Sequence, residues 1–130
     1  MMTESDLKNR TKVFALRVMK LVGSLPKDTA GKTVGGQLIR SATSVAANYR
    51  AACRGRSKAE FISKLGIVEE EADESCFWLE IIVESGLMEK KLVESLLKEA
   101  NELTAIFVRS RISAKEGKPI ANRPSKIANN

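Results

Sequence analysis

Residues 38–65 read LIRSATSVAANYRAACRGRSKAEFISKL, and this stretch decides the fold. Its first half sets Leu38, Ala42, Val45, Tyr49 and Ala52 four and three residues apart. That spacing puts apolar side chains on one face of an α-helix and on no face of a strand. Its second half opens on Ser57-Lys58-Ala59-Glu60 with Phe61 directly behind, a capping box at the start of a second helix. Only the region around Gly55 and Arg56 is left to link them, which suits an antiparallel helical hairpin and nothing longer.

Outward from the hairpin the same period continues. The first arm extends back through Val34 and predicts a helix over about Thr29–Arg54, capped by Asp28 or Thr29. Gly31, Gly35 and Gly36 weaken its first turns. The second arm carries Phe61, Leu65, Val68, Ala72, Leu79 and Val83 and predicts a helix over about Ser57–Ser85, ended by Gly86. Upstream, Leu7, Phe14, Val18, Leu21 and Leu25 predict a helix over Asp6–Ser24, capped by Ser5 and stopped by Gly23 and Pro26. Downstream, Leu92, Leu96, Ala100, Leu103 and Phe107 predict a helix over Glu89–Ala114. No stretch alternates long enough for a sheet. The expectation is an all-α, antiparallel up-down-up-down four-helix bundle over residues 1–114, with 115–130 as a flexible basic tail.

Composition narrows the chemistry. The 130 residues include no His, which removes a Ser-His-Asp triad, a Cys-His dyad and His-ligated metal. No other acid–base constellation stands out, so an enzyme is not expected, and no cofactor or metal is called for. The run Glu69, Glu70, Glu71, Asp73, Glu74 reads as a solvated or ion-paired face rather than a metal site. Gly31-Lys32-Thr33 imitates the end of a P-loop, but the required earlier glycine is Pro26. Ser41, Thr43 and Ser44 read as small packing residues. Cys53 and Cys76 have no metal or redox spacing and read as reduced, buried thiols of a cytoplasmic protein. No apolar stretch is long enough to span a bilayer.

The formal charge is +6, which favours anionic partners, nucleic acid first. Residues 27–56 carry Lys27, Lys32, Arg40, Arg50, Arg54 and Arg56 against Asp28, whereas 57–86 carry Lys58 and Lys64 against eight acids. The two arms could therefore neutralise each other, or the basic arm could meet phosphates. Arg40, Arg50 and Arg54 share a stripe opposite the core seam, and Arg54-Gly55-Arg56-Ser57-Lys58 gathers bases at a helix start. These five, Arg40, Arg50, Arg54, Arg56 and Lys58, are the candidate nucleic-acid contacts, with Lys118, Arg123 and Lys126 of the tail adding attraction. Few aromatics are available for base stacking. The second helic arm also carries Phe77, Trp78, Ile81 and Ile82 away from its core stripe, an apolar surplus that predicts a homo-oligomer interface.

Arg40, Ser44-Val45, Asn48 and Ser57-x-x-Glu60-Phe61, with the acidic helix that follows, resemble the signature of the 23S rRNA intervening-sequence (S23 ribosomal protein) family. The likeness covers about residues 8–113. Ser41 stands where the family has a second Arg, Arg50-Ala51-Ala52 where it has Ala-Glu-Gly, and Gly55 at a commonly basic position, which marks a divergent branch. The resemblance implies a four-helix bundle assembling as a homopentamer with a basic surface and no established enzymatic activity. It also implies nucleic acid as partner, RNA before DNA, and a partner protein such as a reverse transcriptase, which a related retroelement accessory protein binds. The function expected is oligomeric RNA binding, with a protein-docking scaffold as the alternative.

Overall fold

The computed structural model describes residues 2–117, and these form four helices: α1 (Glu4–Val22), α2 (Thr29–Cys53), α3 (Lys58–Glu84) and α4 (Lys90–Lys115). Local sequence sets their starts. Thr3, not Ser5, caps α1: its Oγ1 accepts from the Asp6 N–H at 3.0 Å, and the Asp6 carboxylate accepts from the Thr3 N–H at 2.9 Å. The backbone bond holds the Asp6 carboxyl below its ordinary range. Asp28 caps α2 through the Gly31 N–H at 2.8 Å, and Ser57 caps α3 through the Glu60 N–H at 3.1 Å. Gly86 ends the α3 turn at φ +78°, a left-handed position that suits glycine. α4 runs through Lys115, one residue into the segment expected as tail. Glu116 caps the helix, and 118–130 of that segment, with three bases, lie outside the described residues.

Neighbours in sequence pack as neighbours in space: α2 lies on α1 and on α3, α3 on α4, and the α1–α4 seam is the sparsest. The buried positions alternate four and three along every helix, the seam pattern of bundles. On α3 the alternation runs Phe61, Leu65, Val68, Ala72, Ser75, Leu79 and Ile82, with Cys76 buried beside it. On α2 they begin at Gly31 and Gly35. A Cβ on Gly31 would lie 1.9 Å from the Pro26 carbonyl oxygen, and one on Gly35 would lie 2.8 Å from Val22 Cγ1. The α1–α2 link therefore presses onto the first turns of α2, and no side chain fits between.

This register corrects three expectations. Ile82 is wholly buried in its own bundle and is no part of an outer patch. Val83, expected in the core, is only half-buried, because the step of three from Leu79 ends on Ile82. Leu92 is 61% exposed, and Val93 takes its place in the core of α4.

Polar ties cross three of the seams. Arg10 grips Glu99 with Nε and Nη2, both at 2.7 Å, joining α1 to α4. Arg111 Nε donates to Glu69 at 2.6 Å, joining α4 to α3. Ser75 Oγ meets Ser41 Oγ at 3.0 Å in the buried α2–α3 seam. Cys53 and Cys76 stand as thiols. Burial pushes the Cys76 thiol up, and its Sγ lies 3.5 Å from Asn101 Oδ1.

Candidate nucleic-acid interface

The candidate cations separate by what faces them. Arg40 donates to both oxygens of Glu71 and to Glu74 on α3. Those hydrogen bonds raise its pKa further above its ordinary value. Arg40 is thus the inter-arm tie that the charge segregation allowed for, and Glu69, Glu71 and Glu74 of the acidic run are occupied by it and by Arg111. Arg50 and Arg54 differ. Both are exposed, and no carboxylate among the described residues lies within ion-pair distance of either.

The last turns of α2 put these two arginines four residues apart on its outer crest, next to the carbonyl end of the helix, where positive charge is favourable. Arg54 is the C-cap, and the buried Gly55 then turns the chain under Phe61. Open grooves flank the crest. One, of about 670 Å³ between α1 and α2, is lined by Lys8, Lys12, Ala46, Arg50 and Arg54, with Leu16 and Met19 at its far end. The other, of about 540 Å³ between α2 and α3, is lined by Arg50, Ala51, Arg54, Arg56, Glu60 and Lys64. Arg50 and Arg54 belong to both. Among the described residues, Glu60 is the one acid lining either groove. Arg56 precedes the amino end of α3, where a cation gains nothing from the helix dipole.

Of the five expected contacts, the structure brings together Arg50, Arg54 and Arg56. Arg40 is committed to α3. Lys58 is half-buried with its ammonium near Gly117 at the end of α4, away from both grooves. Lys8, Lys12 and Lys64 line the grooves and were not singled out from sequence. Their signal was there, since Lys8 and Lys12 sit four apart on α1, off the line of Leu7, Phe14 and Val18.

The apolar surplus of α3 is smaller than its composition suggests. Phe77 is 49% exposed and packs edge-on against Trp78 at 4.9 Å. Trp78 is half-buried and donates from Nε1 to Glu74 at 3.1 Å. Ile81 is half-buried, and Ile82 belongs to the core. No helix among the described residues is long and apolar enough to cross a membrane.

Fold and surface together define a class: an antiparallel four-helix bundle whose one end carries a cationic ridge shared by three helices. The profile of the 23S rRNA-intervening sequence protein family matches residues 3–109, and the chain belongs to that family. A crystal structure of a protein of unknown function from the S23 ribosomal protein family of Bacteroides thetaiotaomicron VPI-5482 is similar to it. The two share 28% identity and a TM-score of 0.77, over 84% of this chain and 97% of that one. A search of curated proteins gives no match.

Proposed function

We propose that the chain is a binding protein, not an enzyme, that holds structured RNA on the ridge of Arg50 and Arg54. The observation that supports this best is that these arginines have open, cation-lined grooves on both sides and no acid partner among the described residues. Unpaired guanidinium groups in that setting meet phosphate with two donors each. The family's name, which refers to an intervening sequence of 23S rRNA, agrees with RNA as the anion. Weak sequence preference is expected, because phosphate contacts position a ligand without reading its bases. Filter binding of a structured RNA across a salt series tests this. Affinity should fall steeply with salt, and the log–log slope should shrink by about 0.9 for each ridge cation removed. No binding at micromolar protein in low salt overturns the proposal.

Assembly of several copies, five by the family likeness, belongs to the same proposal. Phe77 with Ile81 on α3 is rimmed by the exposed Asp73, Glu80 and Glu84, while exposed Val13, Leu16 and Met19 on α1 sit among Lys12 and Lys20. Acid-rimmed and base-rimmed apolar stripes on one chain suit contact between copies. The same stripes would equally serve a partner protein, which is the second reading. Light scattering on Phe77→Glu with Ile81→Glu separates the two. Loss of native mass supports self-association, and unchanged mass assigns the stripes elsewhere.

A further inference from the structure

We infer that the ridge of α2 takes double-helical RNA rather than a single strand. This rests on the nucleic-acid reading above and adds the form of the ligand. Proteins that hold single strands stack bases on exposed aromatic side chains. Here Phe14, Tyr49, Phe61 and Phe107 are buried in the core. Phe77 and Trp78 lie in the second half of α3, against each other and Glu74. Among the described residues, no aromatic lines either groove beside Arg50 and Arg54. A splayed base finds no aromatic ring there to lie on, and the guanidinium planes of Arg50 and Arg54 are the groups that meet phosphate.

The shape of the ridge points the same way. Arg50 and Arg54 ride the crest, while the shoulders are only Ala46 toward α1 and Ala51 toward α3, so both flanks stay open. Beyond each flank lies a further pair of cations, Lys8 with Lys12 on one side and Arg56 with Lys64 on the other. A ligand that satisfies both sides must present phosphates on both sides of a ridge one helix wide, which two strands across a groove do and one strand does not. Residues four apart on a helix differ by about 6 Å in height, comparable to the step between phosphates along a strand.

The width also selects the duplex. A helix with its side chains is ~10–12 Å across, too broad for the ~6 Å minor groove of B-form DNA. The minor groove of an RNA helix is wide and shallow and is recognised by shape and phosphate. A helix in the DNA major groove works through side chains that reach base edges. Apart from its arginines this crest offers Ala47 and Thr43, and Thr43 is turned back onto the Ile39 carbonyl at 2.8 Å.

Fluorescence anisotropy at low salt tests the inference on the full chain. The probes are a blunt RNA duplex, its separated strands, and a DNA duplex of the same sequence. The RNA duplex should bind about tenfold or more tighter than either strand and tighter than the DNA. Lys12→Glu and Lys64→Glu, on opposite flanks, should each weaken the duplex more than the strands, with helical circular dichroism unchanged. Strands or DNA that bind as well as the RNA duplex, or flank variants that weaken all probes alike, overturn the duplex inference and leave the nucleic-acid reading standing. Failure of every probe to bind overturns both.

Discussion

Arg40 and Arg50 are the same residue type on the same helix, yet what lies opposite separates their roles. Arg40 finds two carboxylates one helix away and is expected to act in stability alone. Its side chain is half exposed, so the tie is weak: Arg40→Gln should lower unfolding free energy in urea by less than about 1 kcal/mol and leave RNA affinity unchanged. The neighbouring Glu74 gives a pH reading. The Trp78 indole N–H first, and Arg40 second, hold its carboxyl below the ordinary 4.5. A depressed carboxyl stabilises fully above its unfolded pKa and loses that contribution as pH falls through the folded value. Emission of the single tryptophan should therefore stay flat from neutral pH down to about 4.5 and change only below it. In Arg40→Gln the midpoint should move up, but not fully, because the indole bond remains. A wild-type midpoint above the ordinary value would contradict the assignment.

At the scale of the helix, four elements and their order are legible in sequence because apolar residues recur at bundle spacing and Asp28, Ser57 and Gly86 punctuate it. The misreadings have one cause. A strict four-three alternation runs through polar and small residues too, namely Thr11, Ser75, Ser110, Gly31 and Gly35. Following hydrophobicity instead loses the register at Ser75, so Val83 replaces Ile82; at the start of α4, Leu92 replaces Val93. The glycines of α2 show the same point. Gly31 meets the Pro26 carbonyl, whereas a Cβ on Gly36 meets nothing within 4 Å. Gly36→Ala should raise stability by up to about 1 kcal/mol through helix propensity, and Gly31→Ala should lower it by roughly 1–3 kcal/mol as the link shifts. Ile82→Ala should cost about 2–5 kcal/mol, while Leu92→Ala, at a position outside the core, should stay within about 0.5 kcal/mol of wild type. Thermal and urea unfolding measure all four.

For the whole molecule, sequence shows the charge segregation but not its partition. The acidic arm neutralises Arg40 and stops there, because Glu71 and Glu74 stand level with Arg40 and not with Arg50 or Arg54 further along α2. The groove cations Lys8, Lys12 and Lys64 come from two other helices, and only the antiparallel packing of α1, α2 and α3 gathers them at one end. A site assembled from helix faces far apart in sequence leaves no contiguous motif to find. Its purpose is tested most directly by comparing RNA affinity across a salt series for the wild type, Arg40→Gln and the double variant Arg50→Glu with Arg54→Glu, with each melting temperature recorded alongside. The double variant should lose at least about tenfold in affinity at low salt and about two units of log–log salt slope, while it melts like the wild type and Arg40→Gln binds normally. Wild-type affinity and slope in the folded double variant would show that the ridge does not hold the RNA.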